Sequence, residues 1–323
     1  MYVAGIDIGG TNTEIGIVSK DGNIVFSETI PTTGHNTPED FVREVSKVIE
    51  LACNQHQVLI NAIGIGAPSA NYFSGSIEYA PNMPWQGIIP LVKLFSAALN
   101  KPAFITNDAN AAAIGEQVFG AAKGIKDFIL VTLGTGLGSG IVVNDQLVYG
   151  HDGFAGELGH VIIEDNGRQC GCGRKGCLET YVSATGVVWS ARDLIRSGKQ
   201  IAGITPIEHI TARDVATAAA QGDLNALMII DETARKLGFA LANAVAITSP
   251  SHIFLYGGVA KSGNTLLIPT RKYFAHYLLR NFAGKVKIEL SMLPDNAAVL
   301  GAAALAWKEI AYYARFSTLL IVL

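Results

Sequence analysis

The sequence predicts an α/β protein made of two related lobes. Runs of β-branched residues that are typical of strands alternate with helix-like segments along the chain. The strand–turn–strand pattern of Val3–Ile17 returns at Ile129–Val143, about 125 residues later, with apolar strands on both sides of a glycine and threonine turn. The chain has 323 residues, 49% of them hydrophobic, so it can build the cores of two ordinary domains.

Composition excludes several classes of protein. The net charge of −3, without basic clusters, argues against a surface for nucleic acid or anionic lipid. The N-terminal residues Met1–Asp7 are typical of a strand and not of a signal peptide. The longest apolar tract, Thr318–Leu323, is far shorter than the ~20 residues of a membrane span. We therefore expect a cytoplasmic protein with neither a nucleic-acid nor a membrane partner.

The first half begins with three short strands in a meander, followed by a helix with clear start signals. Thr37 is a good N-cap, Pro38 suits the first helical position, and two acids follow in the first turn. The elements expected in this half are strands at Val3–Ile8, Thr13–Val18 and Ile24–Ile30, a helix from Thr37 to about Gln55, a strand at Ile60–Ala67, a loop to Gly87, a helix near Ile88–Leu99, a strand at Ala103–Thr106 and an alanine-rich helix from about Ala109.

The second half is mostly helical after the repeated hairpin. Its expected elements are helices near Ala184–Ser197, Ala212–Gln221 and Asp223–Thr248, a strand at Ile253–Tyr256 that leads through two glycines into a helix, and a helix from about Asn296 to Tyr313. We expect residues 1–107 to form a smaller N-terminal lobe that the helix at 295–313 joins. Residues 108–294 would form a larger C-terminal lobe.

Two turns have the composition of a phosphate-binding hairpin. In Asp7–Thr11 the two glycines allow backbone N–H groups to approach an anion, the threonine adds a donor, and the acid can orient a hydrated Mg²⁺. For that stretch alone, a plain hairpin with a glycine turn is the better interpretation. Leu133–Gly140 repeats the device, however, and two such turns favour a nucleotide site. Gly257 and Gly258, at a strand end before a helix, suit close contact with a nucleotide.

Asp108 lies where a strand meets the alanine-rich helix. It could serve only as a helix N-cap. The carboxyl ends of strands in α/β lobes are also where ligands collect, so the same position suits catalysis. Both interpretations stay open at this stage.

Five motifs in register resemble one family. They are the two hairpins, Asn107-Asp108-Ala-Asn110, Gly156-Glu-Leu-Gly-His160 and Cys170-Gly-Cys-Gly-Arg-Lys-Gly-Cys-Leu-Glu179. Together they resemble the ROK family, which contains sugar kinases and sugar-responsive repressors, over Val3 to about Ala304. The resemblance implies an actin/hexokinase-like (ribonuclease H-like) fold with a cleft between duplicated lobes.

The resemblance also implies roles for individual residues. Asp108 would be the base that accepts the proton of the attacking sugar hydroxyl. The groups that would surround the sugar hydroxyls are Ser69, Asn82, Asn107, Asp108, Glu157, His160 and Glu179. The groups that would hold ATP, with Mg²⁺ bridging its phosphates, are Asp7, Gly9, Gly10, Thr11, Thr135, Gly136, Gly257 and Gly258.

Three of the four cysteines fall within eight residues. His160, Cys170, Cys172 and Cys177 offer one nitrogen and three sulfurs, a set typical of a structural zinc that leaves no position for water. A reduced cysteine loop without metal is the alternative. Redox catalysis is disfavoured because Cys-Gly-Cys lies in a glycine-rich loop and not at a helix start.

Two positions depart from the family pattern. Asn12 stands where many relatives carry a lysine after the first Gly-Gly-Thr, so Mg²⁺ and backbone amides must neutralise the phosphates. Tyr256 stands where relatives often have a glycine before Gly257, which leaves the nucleotide preference open.

The function that these residues favour is a glucokinase, which transfers the γ-phosphate of ATP to the 6-hydroxyl of glucose. A kinase for N-acetylmannosamine, N-acetylglucosamine, fructose or allose is the first alternative, because the same polar groups can bind several sugars. A sugar-responsive repressor is the second, disfavoured because the phosphate strand starts at Val3 and no helix-turn-helix precedes it. We expect a homodimer or a higher homo-oligomer. The apolar tail Phe316–Leu323 has no assigned role.

Overall fold

The computed structural model describes residues 1–204, 207–294 and 297–320, with the backbone alone at 207 and 313–320. The strands in this part of the chain are β1 Tyr2–Ile8, β2 Asn12–Ser19, β3 Ile24–Pro31, β4 Ile60–Gly66, β5 Ala70–Asn71, β6 Ser76–Glu78, β7 Ile88–Ile89, β8 Ala103–Thr106, β9 Phe128–Leu133, β10 Leu137–Val143, β11 Gln146–Leu147, β12 His252–Tyr256 and β13 Lys287–Leu290. The helices are α1 Pro38–His56, α2 Leu91–Leu99, α3 Asp108–Phe119, α4 Glu179–Val182, α5 Ala184–Arg196, α6 Ala212–Ala220, α7 Leu224–Thr248, α8 Asn264–Tyr277 and α9 Ala297–Leu320. None of these helices combines the length and the apolar character that a lipid bilayer would require.

Contacts divide the chain into two units. Unit 1 comprises Met1–Gly124, Leu147–Ala155 and Met292–Leu323, and unit 2 comprises Ile125–Gln146 and Gly156–Ser291. Residues 108–124 fall in unit 1 because α3 packs along α9, whereas the sequence analysis assigned them to the second lobe. The expected division into folding domains stays a prediction.

Unit 1 is built on a mixed sheet in the order β3-β2-β1-β4-β8. β1, β2 and β3 form the predicted antiparallel meander, and β4 and β8 run parallel to β1. Alternate residues of β1 point to opposite faces, so Ile6 packs with α1 on one face and Val3 packs with α9 on the other. The apolar alternation therefore explains a sheet that is covered on both sides.

The last helix lies very close to this sheet because glycines face it. A Cβ atom added at Gly5 or Gly64 would overlap carbonyl oxygens of α9, those of Val299 and Ala302 respectively. Gly301 of α9 allows a similar approach to α3. Side chains at these positions would force the elements apart, so the glycines fix the packing distance.

Unit 2 repeats the same architecture. Its sheet has the order β11-β10-β9-β12-β13, with β10 antiparallel to β9 and both β12 and β13 running in the direction of β9. Apolar residues of β9 and β12 share a continuous core with α5, α6, α7 and α8. The repeated hairpin in the sequence therefore marks a repeated sheet.

Most predicted elements are present, with differences in the loop before α2. Ile88–Ile89 form β7, and α2 begins only at Leu91 because Pro90 precedes it. The stretch predicted as a loop contains the small antiparallel sheet β5-β6-β7. The predicted start of the last helix at Asn296 and the tail end at 321–323 lie outside the described residues.

Candidate active site and metal centre

The carboxyl ends of three parallel strands in unit 1 align in one row. Asp7 of β1 pairs with Gly66 of β4, and Gly66 pairs with Thr106 of β8. Asn107 and Asp108 follow Thr106 directly, so the register brings the predicted metal-orienting acid and the predicted base to the same edge of the sheet. This edge is where α/β sheets bind ligands.

The turn after Asp7 is a tight hairpin that lies against the loop of Asn82. The N–H of Gly9 donates to the carbonyl oxygen of Asn12 at 2.9 Å, and Thr11 and Asn12 are exposed. A Cβ at Gly10 would overlap the carbonyl oxygen of Asn82. The glycine therefore lets the predicted sugar loop lie directly against the predicted phosphate turn.

Asp7 and Asp108 both have a raised pKa. Burial, followed by repulsion from Asp108 and Glu14, raises the pKa of Asp7 to about 7. Asp108 is an exposed residue, but many protein atoms surround its carboxylate. These atoms displace water from the carboxylate, and the loss of hydration raises its pKa. A hydrogen bond at 2.8 Å from the N–H of Ala109 opposes the rise. Two carboxylates with raised pKa values at a strand edge are typical of a functional site.

Asn107, and not Asp108, is the N-cap of α3. The side-chain oxygen of Asn107 accepts a hydrogen bond from the N–H of Asn110 at 2.7 Å. The capping role that competed with catalysis at Asp108 is therefore filled by its neighbour. The bond from the N–H of Ala109 uses one oxygen of the Asp108 carboxylate, Oδ1.

The remaining candidates of unit 1 lie in the loop after β4. Ser69 has a left-handed backbone with φ 51°, and its carbonyl accepts from Glu78. Asn82 is exposed beside Gly10. The ring N–H of Trp85 donates to the carbonyl of His35 at 3.4 Å and tethers this loop.

In unit 2 the second predicted phosphate turn meets the Gly257–Gly258 pair. Gly257 has φ 103°, and a Cβ there would collide with the backbone of Leu133, the last residue before the turn. The N–H of Val259 donates to the Leu133 carbonyl at 3.1 Å. A Cβ at Gly258 would meet only open space, as expected where a ligand approaches. The structure thus brings Thr135, Gly136, Gly257 and Gly258 to one edge of the sheet.

The four predicted metal ligands form one cluster. The ligand atoms of His160, Cys170, Cys172 and Cys177 all lie within 4.8 Å of one another. The Sγ atom of Cys170 is 3.6 Å from Nδ1 of His160, and the Sγ atoms of Cys172 and Cys177 are 3.6 Å apart.

Two of these distances, Cys170 to His160 and Cys172 to Cys177, fit a tetrahedral zinc ion. Zn–S bonds of about 2.3 Å and Zn–N bonds of about 2.0 Å require ligand atoms separated by about 3.5 to 3.8 Å. Short backbone bonds hold the loop in shape, with Cys170 donating to the Arg174 carbonyl and Gly173 donating to the Cys170 carbonyl. The donor set and these two distances therefore suit zinc.

Glu179 connects this cluster to the second phosphate turn. Its Oε1 atom is 3.0 Å from Sγ of Cys170 and 3.7 Å from Nδ1 of His160. Its Oε2 atom accepts weakly from the N–H of Leu137 at 3.4 Å, immediately after Gly136. On the other side of the imidazole, Nε2 of His160 lies 3.8 Å from Glu157. Glu157, His160 and Glu179 are thus neighbours.

Sequence reasoning missed two groups of this region. The hydroxyl of Thr185 donates to the carbonyl of Thr135 at 2.8 Å and holds the turn, and the guanidinium of Arg168 contacts the segment after Glu179. Neither residue belongs to a motif with a chemical meaning of its own. The signal for Arg168 was only its position two residues before Cys170.

Two units of the same strand order, each with a glycine turn at the ends of its parallel strands, define a two-lobe α/β protein. The model of the ROK family matches residues 3–309, and the chain belongs to this family. It is 35% identical to a glucokinase of Thermotoga maritima over 96% of this chain and 98% of that protein. It is also 31% identical to a xylose repressor of Caldicellulosiruptor bescii over 98% of this chain and 80% of that protein.

A solved structure shows the same fold. The crystal structure of a ROK family glucokinase from Streptomyces griseus, in complex with glucose and AMPPNP, has a TM-score of 0.79 at 32% identity and covers 94% of this chain and 99% of that one. The predicted two-lobe α/β fold of this family is thereby confirmed.

Proposed function

We propose that the protein is an ATP-dependent hexose kinase and that glucose is its substrate, phosphorylated on the 6-hydroxyl. One observation carries the proposal. The Asp108 carboxylate lies at the carboxyl edge of the unit 1 sheet beside Asp7 and is not used as a helix cap. Relatives that are named glucokinases over nearly the whole chain support the reaction and the sugar.

The proposed step is an in-line phosphoryl transfer. The sugar oxygen bonds to the γ-phosphorus, its proton passes to the Asp108 carboxylate, and the bond to the leaving oxygen of ADP breaks. Burial raises the pKa of Asp108 and so makes its carboxylate a stronger base. The transition state is loose, so positioning and charge neutralisation supply most of the catalysis.

Each of the two glycine turns is a candidate for binding nucleotide phosphate through its backbone groups. Gly9, Gly10 and Thr11 form the turn of unit 1, and Thr135 and Gly136 form that of unit 2. Mg²⁺, when bound with ATP, would neutralise phosphate charge, and Asp7 would orient its water shell. Asn12 adds no cation, so the amides carry more of this task.

The sugar hydroxyls, each of which both donates and accepts hydrogen bonds, would be recognised by polar side chains. In unit 1 these are Ser69, Asn82, Asn107 and Asp108. In unit 2 they are Glu157, His160 and Glu179, for which the cysteine cluster serves as a brace. Zinc at the cluster would be structural, because four protein ligands complete its tetrahedron.

Other sugars are the first alternative, since the same groups suit several pyranoses. The xylose repressor among the relatives makes sugar-responsive repression the second. A homodimer and a cytoplasmic location are further parts of the proposal. A panel of sugars in a coupled ADP-release assay decides between glucose and other substrates, and turnover of any sugar argues against a repressor.

The Asp108→Asn variant tests the base. It keeps the shape of the side chain and removes the proton acceptor, so we expect kcat to fall by ~10²-fold or more. Glucose affinity, measured by calorimetry, should stay within ~3-fold because the amide can still bind a hydroxyl.

Asp21→Asn is the matched control, because Asp21 is exposed in the turn between β2 and β3. It should leave kcat unchanged. Near-native turnover of Asp108→Asn would rule out Asp108 as the base.

A further inference from the structure

A cavity of about 400 Å³ lies in unit 2 behind the cysteine loop. Its walls include Glu164, Arg168, Tyr181, Ser190, Glu232 and Lys236. The charged groups in these walls are paired with one another or with close neighbours. Lys236 contacts Glu164 at 2.6 Å and Glu232 at 3.4 Å, and Arg168 contacts Asp193 at 3.0 Å. The cavity therefore has its charges balanced internally.

The Arg168 guanidinium binds α4 and α5, the two helices that follow the cysteine loop. Its Nη1 atom donates to the carbonyls of Thr180 at 2.9 Å and Gly186 at 3.1 Å. Its Nη2 atom donates to Oγ of Ser190 at 3.2 Å and to Asp193. The side chain is only 23% exposed, so these are bonds of a largely buried, fixed group.

The backbone of Arg168 makes two further bonds in the same region. Its carbonyl accepts from the N–H of Gly176, the residue before Cys177, at 2.8 Å. Its N–H donates to the hydroxyl of Tyr181 at 2.8 Å, and the guanidinium carbon lies 4.9 Å from the centre of the Tyr181 ring.

One residue thus anchors the chain on both sides of Glu179. The bond from the N–H of Gly176 holds the backbone directly before Cys177, and the bond to Thr180 holds the residue directly after Glu179. Metal binding at Cys177 could fix only the first of these. The second anchor is independent of the metal.

We propose that Arg168 is a positioning residue that aims the Glu179 carboxylate at the sugar. The proposal rests on the proposed kinase function, in which Glu179 binds a sugar hydroxyl. Arg168 itself touches neither substrate. If Arg168 only stabilised the fold, its replacement would lower the melting temperature and change the KM values for sugar and ATP alike. If Arg168 positions Glu179, its replacement changes the KM for the sugar selectively.

The test begins with Arg168→Lys, which keeps the charge but cannot reach four acceptors with one ammonium group. We expect the KM for glucose to rise ~10-fold, as when outer-shell groups are lost, with the KM for ATP and kcat within ~3-fold. Zinc content, measured by elemental analysis, should equal that of the wild type. Arg192→Ala is the control, since Arg192 lies on α5, the helix that Arg168 contacts, and its guanidinium donates to the carbonyl of Glu208 at 3.0 Å.

Arg168→Ala allows a rescue experiment. The cavity beside Arg168 and the space left by its side chain should admit ethylguanidinium, which can restore the bonds to Thr180 and Gly186. Millimolar ethylguanidinium should lower the raised KM for glucose in this variant and leave the wild type unchanged. If the alanine variant does not fold, Arg168→Lys alone decides.

The outcomes separate the two proposals. A wild-type protein that phosphorylates no sugar refutes the proposed function. A wild-type kinase whose Arg168→Lys variant keeps its KM for glucose, or raises both KM values equally, refutes the positioning role. A selective rise in the KM for glucose with native zinc content supports it.

Discussion

Among single residues, Asp7 has the clearest electrostatic signature. Its carboxyl has a pKa of about 7 in the folded protein against 3.8 for the ordinary group, because it is buried beside Asp108 and Glu14. Between these two values the folded state binds a proton that the unfolded state has lost. Asp7 therefore contributes stability below about pH 4, and this contribution is lost as the pH rises through 7.

Asp7→Asn should remove this dependence. Without ligands, we expect the variant and the wild type to melt at similar temperatures at about pH 4, and the variant to be the more stable at about pH 8, because the contribution of Asp7 is lost between these two values. The difference should be about 1 to 3 kcal/mol, because one pKa unit corresponds to about 1.4 kcal/mol and partial solvent access reduces the full effect. Thermal unfolding at both pH values measures it.

Magnesium provides the control for this prediction. Mg²⁺ with ATP at pH 8 should raise the melting temperature of the wild type more than that of Asp7→Asn, because only the carboxylate attracts the ion's water shell. An equal difference between the two proteins at about pH 4 and about pH 8 would contradict a raised pKa of Asp7.

The sequence could identify the chemistry of these residues but not their spacing. Asp7 and Asp108 are acids at strand ends, which local pattern reveals, whereas their common edge depends on the register of β1, β4 and β8. The position of Glu179 against Leu137 depends on a contact over 42 positions of the chain. No local propensity encodes such a contact.

At the scale of elements, the sequence predicted those with strong local signals. The N-cap Thr37 and Pro38 mark the start of α1, and the side chain of Thr37 accepts from Asp40. The short strands β5, β6 and β7 have two or three residues each and no usable periodicity, so they were read as loop and helix. Their pairing is decided by tertiary contacts.

The approach of α9 to β4 yields a prediction for an element. Gly64→Ala should destabilise unit 1 by about 2 kcal/mol or more, because the added Cβ overlaps the carbonyl oxygen of Ala302 and the helix must move. Asn61→Ala, at an exposed position of the same strand, is the control and should change stability by less than about 0.5 kcal/mol. Chemical denaturation compares the two, and a tolerated alanine at Gly64 would mean that α9 can shift freely.

For the whole molecule, the repeat that the sequence showed is a repeat of complete sheets. Both sheets join an antiparallel hairpin to two parallel strands in the same order. The side chains at equivalent positions of the two sheets differ. In unit 1 the residue that pairs with the end of β4 is Asp7, whereas in unit 2 the residue that pairs with the end of β12 is Thr132. The acid stands in unit 1, and the cysteine cluster follows the hairpin of unit 2. The two units therefore differ in what holds their sites in place.

This difference predicts that loss of zinc acts on unit 2 alone. Cys172→Ser should lower the zinc content to less than about 0.5 per chain and raise the KM for glucose by ~10-fold, because Glu179 and His160 lose the metal that orients them. Hydrogen exchange should become faster in residues 157–186, whose backbone bonds the cluster supports, and stay slow in β1 and β4, which belong to a separate core.

Cys53→Ser, on α1 of unit 1, is the matched control and should keep both the zinc content and the exchange rates of the wild type. Zinc retained by Cys172→Ser would contradict the ligand set. Faster exchange throughout the sheet of unit 1 would show that the metal stabilises more than the loop in which its ligands lie.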